Sequence, residues 1–177
     1  DGYFGNFINA SITYYGGWVH IGVHVIDTLN LLFKDKVTLK NIIKSKKSKY
    51  VNDLILDCEL GFEKRSGTIM LSSFDEKYYQ IFDFDIRFEL RRLRIENFGD
   101  RIIIERKERN NINENILISE KNKYYSDTNS IQKAIEIISS SILEKDSEKL
   151  NGYRINDYYE TMKMIWQGKE SYDFKPR

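Results

Sequence analysis

Apolar and polar residues alternate along much of the chain, which is the pattern of half-buried β-strands. Residues 7–15 predict the first strand because aromatic and β-branched side chains dominate them. The alternation is clearest over residues 82–90, and it loses its phase near Arg91, where we expect a turn or a bulge. Shorter alternating stretches predict strands at residues 56–62, 69–71, 102–105 and 116–118, with a turn over residues 64–67.

Three other stretches repeat their apolar residues at the spacing of an α-helix. The first stripe is Val19, Val23, Ile26, Leu29 and Phe33, and the second is Ile131, Ile135, Ile138 and Ile142. A last helix is expected over residues 156–167, where Met162, Ile165 and Trp166 face inward and Gly168 ends the helix.

The order of these elements is strand, helix, about five or six antiparallel strands and two helices, which predicts an α+β fold. We expect an open, mostly antiparallel sheet with helices packed on one face. Residues 1–177 form one domain in this interpretation, because Pro176 is the only proline and no proline-rich linker divides the chain. The opposite face of the sheet is expected to face water, a partner subunit or a ligand, and it carries Asp83, Asp85, Arg87 and Glu89.

Composition narrows the class of partner and the compartment. Lys plus Arg total 28 against 27 for Asp plus Glu, so no charge excess favours nucleic acid or an anionic membrane as partner. The lysine-rich residues 44–49 are interpreted as a solvated loop, and no apolar run reaches the roughly 20 residues of a membrane helix. Cys58 is the only cysteine and lies on the apolar side of its strand, which predicts a buried thiol and favours the cytoplasm. The start at Asp1, with no methionine, suggests a fragment.

The sequence lacks the loops that bind nucleotides. Gly17 and Gly22 have the spacing of a phosphate-binding loop, but Val23 and His24 stand where that loop needs lysine and serine or threonine. A G-x-G-x-x-G fingerprint and a G-x-S-x-G nucleophile turn are both absent. The chain is therefore not expected to bind a dinucleotide by itself.

The two histidines of the sequence lie four residues apart, at His20 and His24. On a helix they share a face, and Asp27 lies one turn further along it. Three interpretations remain open. In the first, His20, His24 and Asp27 hold a metal, although Ile21 stands where the zinc-protease motif needs a glutamate. Alternatively, both histidines are structural, or His24 is an acid/base or substrate-binding group, since an imidazole exchanges protons readily near neutral pH.

The residues around these histidines resemble a known family. Gly2-x-x-Gly5, then Tyr14-Tyr15-Gly16-Gly17, then Gly22-Val23-His24-Val25-Ile26-Asp27 and Leu32-Phe33 occur in that order. This order resembles the entry to the C-terminal domain of Gfo/Idh/MocA oxidoreductases, which has a dihydrodipicolinate reductase-like fold. By that resemblance His24 matches the histidine that works on the substrate hydroxyl, and Asp27 matches a mainly structural aspartate near the site.

The resemblance also implies roles for the neighbouring residues. Substrate binding is expected at Tyr15, Trp18 and His20, and structural roles beside the site at Gly17 and Gly22. Many family members carry an aspartate where this sequence has His20. A carboxylate there would raise the basicity of the histidine four residues later, whereas a second imidazole would not. No residue of this chain is expected to bind a metal or a cofactor.

The function implied by the resemblance is oxidation or reduction at a hydroxyl of a sugar, nucleotide sugar or cyclitol. NAD or NADP would be bound by an N-terminal Rossmann domain that is absent from this chain, so the chain alone is expected to be inactive. A homodimer or tetramer joined through the open face of the sheet is also implied. The alternative is a non-catalytic binding or oligomerisation module derived from such an enzyme.

Overall fold

A computed structural model describes residues 2–75, 77–124, 139 and 155–173, which are called the described residues below. In them, eight strands form one sheet: β1 Phe7–Tyr15, β2 Val37–Lys47, β3 Leu54–Phe62, β4 Thr68–Phe74, β5 Phe82–Phe88, β6 Arg91–Glu96, β7 Arg101–Arg109 and β8 Asn115–Tyr124. The helices are α1 Val23–Phe33, which continues a π-helical turn Trp18–Gly22, and α2 Ile155–Asp173. A short 3₁₀ turn, Asn97–Gly99, joins β6 to β7.

The first strand lies inside the sheet, not at its edge. The strand order is β2-β3-β4-β1-β5-β6-β7-β8. Strand β1 runs parallel to β4 and antiparallel to β5, while the other neighbouring pairs in the described residues are antiparallel. The prediction of an open, mostly antiparallel α+β sheet is confirmed.

The helices bury one face of the sheet around β1, β3 and β4. Ala10, Ile12 and Tyr14 of β1 point to this face, and the phenolic hydroxyl of Tyr14 donates to the carbonyl of Leu56 at 3.0 Å. Cys58 is buried on the same face as a free thiol, as its alternation predicts. Burial raises its pKa to about 12, so this thiol is unreactive near neutral pH.

The lysine-rich stretch is a strand and not a loop over most of its length. Strand β2 extends to Lys47, and Lys44 and Lys46 pair with Asp57 and Ile55 of β3. The strand forms an edge of the sheet, where charged side chains remain in water and discourage pairing with other chains. The loop prediction is therefore wrong for residues 44–47, whereas the prediction that these residues are solvated is confirmed.

The last helix is longer than predicted, and a different face of it is buried. Gly168 lies inside α2 and does not end it. Ile165 is buried as predicted, but the side chains of Met162 and Trp166 are 47% and 53% exposed. The buried face consists of Thr161, Met164, Ile165 and Gly168, which follow the helical spacing i, i+3, i+4 and i+7.

The alternation of apolar and polar residues changes phase near Arg91 because the chain makes a tight turn there, which is one of the two expected alternatives. Residues Glu89 and Leu90 connect β5 to β6, and Ile86 pairs with Leu93 across the hairpin. The isoleucine stripe at residues 131–142 lies outside the described residues. None of the described helices is long and apolar enough to cross a membrane.

The opposite face of the sheet carries charges that are paired within the chain. Both carboxylate oxygens of Asp85 accept hydrogen bonds from Arg92 at 2.8 Å, and Arg87 contacts the same carboxylate. Burial raises the pKa of Asp85, but these hydrogen bonds and the charges of Arg92, Arg87 and Arg94 outweigh it, so that the pKa is lowered. This face is therefore polar and locally neutralised.

Candidate functional site

The helical segment that carries both histidines begins on a buried carboxylate. Asp53, directly before β3, accepts hydrogen bonds from the backbone N–H groups of Val19 at 2.8 Å and His20 at 3.1 Å. The same carboxylate accepts the N–H of Leu54 at 2.6 Å. A negative charge at the start of a helix satisfies N–H groups that have no partner within the helix. Asp53 therefore fixes where this segment begins on the sheet.

Gly17 is required by the position of Asp53. A Cβ atom at residue 17 would lie 1.8 Å from Oδ2 of Asp53, so no side chain fits there without displacing the carboxylate. Gly16, just before it, has a φ of +75°, which L side chains rarely adopt. The Gly16-Gly17 pair thus turns the chain from β1 into the helical segment.

Trp18 is the centre of the packing beneath the site. Its indole is fully buried, and its Nε1 donates to the carbonyl of Ile165 in α2 at 2.8 Å. Gly22 and Gly168 both lie against the ring, because a Cβ would approach it within 2.7 Å at Gly22 and 2.6 Å at Gly168. Trp18 was expected to bind substrate, but it has no exposed atom to offer and acts as a packing residue. Gly22 leaves room for the indole of Trp18, and its structural role beside the site stays a prediction.

His24 lies in the first turn of α1 and is exposed at the edge of a cleft. The cleft has a volume of about 670 Å³, within the roughly 300–1,000 Å³ range of small-molecule sites. It is lined by His24, Asp27, Thr28, Asn30, Leu31, Lys34 and Tyr158. Side chains from two helices therefore bring an imidazole, a carboxylate, a hydroxyl, an amide and an ammonium group together around one space.

Asp27 connects α1 to α2 in the floor of this cleft. The hydroxyl of Thr161 in α2 is hydrogen-bonded to the Asp27 carboxylate, and the same hydroxyl accepts from Nδ2 of Asn30 at 3.1 Å. Burial raises the pKa of Asp27, while the hydrogen bond from Thr161 and the nearby His24 partly offset that shift. Oδ1 of Asn30 in turn accepts the backbone N–H of Val37 at 3.1 Å. This network holds the two helices together below His24.

His20 lies one turn before His24 and has a different neighbour. Its imidazole stacks on the ring of Tyr50, with ring centroids 4.4 Å apart and planes inclined by 22°. Tyr15, at the end of β1, is half-buried and packs edge-on against Phe98 at 5.6 Å. The structure therefore brings His24 and Asp27 together in one cleft and places His20 and Tyr15 beside other residues.

A metal ion held by His20, His24 and Asp27 was one of the three possibilities for this segment. Across residues 2–75, 77–124, 139 and 155–173, no group of three or more His, Cys, Asp or Glu side chains is placed to hold a metal ion. Thr28, Asn30 and Lys34 supply hydrogen-bond donors and acceptors along the lining of the cleft that His24 borders.

Sequence reasoning missed Asp53, Thr161 and Lys34. Asp53 contacts its partners 33 and 34 residues back along the chain, so no local pattern signals the contact. Thr161 is buried among polar partners and breaks the apolar stripe that was used to place α2. Lys34 adopts a left-handed conformation at the end of α1, with φ +48°, which only a structure reveals.

Comparison with known proteins gives structural neighbours but no sequence relatives. No family model and no curated protein matches the sequence. The dehydrogenase MviM from Clostridium difficile superposes with a TM-score of 0.59 and 16% identity, covering 96% of this chain and 56% of that one. The 3-ketoreductase KijD10 from Actinomadura kijaniata, in complex with NADP, has a TM-score of 0.63 and 12% identity, covering 96% and 53%. A super-repressor mutant of Gal80p from Saccharomyces cerevisiae has a TM-score of 0.63 and 13% identity, covering 97% and 56%.

These neighbours are oxidoreductases of the Gfo/Idh/MocA type together with Gal80p. The chain has the fold of a Gfo/Idh/MocA C-terminal domain. It spans about half the length of the solved structures that it matches, with 53% to 56% of each of the three covered. At 12% to 16% identity this likeness shows the fold alone. The chemistry of the site has to be argued from the residues of this chain.

The Gfo/Idh/MocA fold places the helical segment 18–33 directly after the central strand β1. His24 is thus carried on an element that the sheet and α2 hold rigidly, through Asp53, Trp18 and Asp27. These contacts fix the orientation of α1 and with it the position of His24 at the cleft.

Proposed function

We propose that this chain is the substrate-binding domain of an NAD(P)-dependent oxidoreductase that acts on a hydroxyl group of a sugar, nucleotide sugar or cyclitol. The observation that carries the proposal is the exposed His24 imidazole at the edge of a 670 Å³ cleft lined by polar side chains. The fold supports the class of enzyme, because its neighbours include a dehydrogenase and an NADP-bound ketoreductase.

In this proposal His24 exchanges a proton with the substrate hydroxyl. A substrate oxygen within hydrogen-bonding distance of the imidazole would lose its proton to His24 on oxidation and regain it on reduction. Thr28 and Asn30 would bind neighbouring hydroxyls and orient the reacting carbon. Lys34 would bind a more distant oxygen or a negative group at the end of the same cleft.

In this proposal the residues of this chain do not supply the dinucleotide site. The sequence holds no G-x-G-x-x-G fingerprint, and β1–β4 is the one parallel strand pair among the described residues. NAD or NADP would therefore be held by a part of the protein outside this chain. The exposed apolar side chains of α1 and α2, such as Leu31 and Tyr159, would lie toward that part.

The second candidate is a binding or oligomerisation module without catalysis. Two observations favour it: a neighbour of equal similarity, Gal80p, is named as a repressor, and His20 stands where many enzymes of this type carry an aspartate. In that case the cleft beside His24 would bind a sugar-type ligand but would not turn it over.

Turnover separates the two candidates. The intact protein would be incubated with NAD⁺ or NADP⁺ and a panel of sugars, sugar nucleotides and cyclitols, and formation of reduced nicotinamide would be followed by its absorbance. The enzyme proposal expects turnover of at least one member of the panel. Binding of a panel member by calorimetry, with no turnover of any, would favour the module.

We also propose that copies of this chain associate with one another through the polar face of the sheet. Met70 lies on this face and is 40% exposed, between Ser11 of β1 and Glu59 of β3. The mixture of paired charges around Asp85 with an exposed methionine suits a polar but specific interface. The result would be a homodimer, or a tetramer if a second surface also associates.

A further inference from the structure

A small apolar pocket, called the Arg65 pocket below, lies at the other end of α1 from His24. It has a volume of about 220 Å³. Its apolar walls come from α1, β5, β6 and the segment before β1: Phe4, Leu32, Phe33, Ile86, Phe88 and Leu93. Arg65, on the turn between β3 and β4, also lines it. None of these residues lines the His24 cleft, so the proposed function makes no use of this pocket.

The aromatic walls of the Arg65 pocket are held in place by contacts within the chain. The ring centre of Phe88 lies 4.8 Å from that of Phe4 and 6.0 Å from that of Phe33. The backbone carbonyl of Phe4 accepts the N–H of Leu90 at 3.1 Å, which fixes the segment before β1 on the turn between β5 and β6. The pocket is therefore preformed, as most small-molecule sites are.

Arg65 is oriented by contacts that leave part of its guanidinium open. Its Nε donates to Oδ2 of Asp35 at 3.2 Å, and its Nη2 donates to the carbonyl of Phe33 at 2.9 Å. Its Cζ lies 5.0 Å from the ring centre of Phe33, which is one of the pocket walls. A guanidinium has five N–H donors, so Nη1 and the second N–H of Nη2 make no hydrogen bond to any residue that the structure describes. These donors form a fork that matches the two oxygens of a carboxylate.

Asp35 positions Arg65 and balances its charge. The side chain of Asp35 is 2% exposed, and its Oδ1 has no hydrogen-bond partner among the described residues. Its hydrogen-bonded ion pair is therefore the one with Arg65. Because this pair is neutral overall, the pocket attracts anions only weakly from a distance. Recognition of a ligand would rest on the geometry of the fork and on apolar contact.

The volume of the pocket limits the size of its ligand. A dry apolar cavity of roughly 150 Å³ holds one benzene ring, so 220 Å³ leaves room for one ring and a small substituent. We propose that the Arg65 pocket binds a small carboxylic acid that has one apolar ring. The ring packs against Phe33, Phe88 and Leu93, and the carboxylate accepts hydrogen bonds from the fork of Arg65.

The test is an NMR titration of this chain with benzoate at neutral pH and about physiological ionic strength. The backbone amides of Gly5, Leu32 and Phe33 should shift in a saturable way, with a Kd of about 1 mM or tighter. Benzyl alcohol keeps the ring without the carboxylate and should bind about tenfold more weakly, since it makes no charged hydrogen bond to Arg65. Acetate, which has no ring, should give no saturable shift.

Two variants with matched controls locate the site. Arg65→Lys keeps the charge without the fork and should weaken benzoate binding at least about fivefold, whereas Arg109→Lys, at an exposed position outside the pocket, should not. Leu32 is 44% exposed, so Leu32→Glu adds a competing carboxylate at the pocket without disturbing the core. It should weaken binding at least about tenfold, and Leu31→Glu, at the neighbouring 72% exposed position, should keep the affinity within about threefold. Thermal unfolding checks that each variant is folded.

Three results would each overturn the inference. They are equal affinities for benzoate and benzyl alcohol, benzoate binding that survives both Arg65→Lys and Leu32→Glu, and no saturable shift up to about 10 mM benzoate. Shifts centred on Thr28 and Asn30 would place the ligand in the His24 cleft and would also overturn it. The titration involves neither His24 nor a cofactor, so its result stands apart from the success or failure of the proposed function.

Discussion

At the scale of single residues, buried polar groups decide the geometry around His24. Asp53 holds the N–H groups at the start of the helical segment, and Thr161 holds Asp27 and Asn30 together between two helices. None of these contacts is local in sequence. The spacing of residues along the chain could therefore indicate His24 and Asp27, but it could not indicate Asp53 or Thr161, which hold them in place. The prediction of a buried Cys58 succeeded because burial on a strand follows directly from alternation.

The raised pKa of Asp27 gives a prediction about stability and pH. Because the folded state holds the proton more tightly than the unfolded chain, ionisation of Asp27 favours unfolding. Its contribution is most favourable below the ordinary value of 3.8 and is lost as the pH rises through the raised pKa. Asp27→Asn keeps an acceptor for the Thr161 hydroxyl without the charge. We expect this variant to unfold at an equal or higher temperature than the wild type at pH 7, with the difference closing toward pH 4.

Differential scanning calorimetry of the two proteins across this pH range measures the effect. Thr161→Val is the control, because it removes the hydroxyl that both Asp27 and Asn30 use, and it should destabilise by about 1–3 kcal/mol at every pH. An Asp27→Asn protein that is clearly less stable than wild type at pH 7 would show that the ionised carboxylate stabilises the fold.

At the scale of elements, regular strands were predictable and distorted or edge elements were not. Strands β1 and β5 alternate cleanly, and their predicted positions agree with the structure. Strand β2 was missed because two register shifts against β3, between Leu39 and Asn41 and between Ile42 and Lys44, break its period of two. The end of α2 was misplaced because Gly168 is a common helix terminator, whereas here it gives room to Trp18.

Gly168→Ala tests this account of α2. Alanine is favoured over glycine inside a helix by about 1 kcal/mol. Its Cβ, however, would lie 2.6 Å from Nε1 of Trp18, where the indole is fixed by its hydrogen bond to Ile165. We expect a net loss of about 1–2 kcal/mol in the free energy of unfolding, measured by urea denaturation.

Ser171→Ala, at an exposed position of the same helix, is the matched control and should change the free energy of unfolding by less than about 0.5 kcal/mol. The double variant Trp18→Phe/Gly168→Ala should lose less than the sum of its two single changes, because the smaller ring makes room for the Cβ. A Gly168→Ala protein more stable than wild type would mean that the glycine is not needed for packing.

At the scale of the whole molecule, the order of elements predicted the fold class but not the pairing of strands. The parallel β1–β4 pair joins residues about 60 apart in sequence, for example Ala10 with Ile69, and no local pattern reports it. The family resemblance of the first thirty residues supplied the architecture that periodicity left open. The helix over residues 131–142 stays a prediction, since all of these residues except 139 lie outside the described residues.

The proposed function assigns the cofactor to a part of the protein outside this chain. It therefore predicts that this chain alone does not bind NAD or NADP. Gly17 and Gly22 are the only two glycines with the spacing of a phosphate-binding loop. Gly17 packs against the carboxylate of Asp53 and Gly22 packs against the ring of Trp18, so this pair serves packing within the chain. Isothermal titration calorimetry of the chain with each nucleotide should give no saturable heat. Micromolar affinity for either would place the cofactor site within these 177 residues and contradict the proposal.

The proposed dimer predicts an association that depends on the polar face of the sheet. Light scattering over a dilution series should show a dimer whose interface buries at least about 1,000 Å² in total. Met70→Lys, in the middle of that face, should shift the protein toward monomer. Ile43→Lys, at an exposed position of edge strand β2, should not. A monomer at all concentrations up to about 100 μM would refute the dimer.

The central claim, that His24 exchanges a proton with the substrate hydroxyl, is tested most directly by the kcat of His24→Ala in the intact protein. We expect a loss of about 10²-fold or more, since general acid–base catalysis contributes about that much. His20→Ala is the matched control: it removes an exposed histidine that stacks on Tyr50 and does not line the His24 cleft, and it should leave kcat within about threefold. A His24→Ala protein whose kcat stays within threefold of wild type would contradict the assignment.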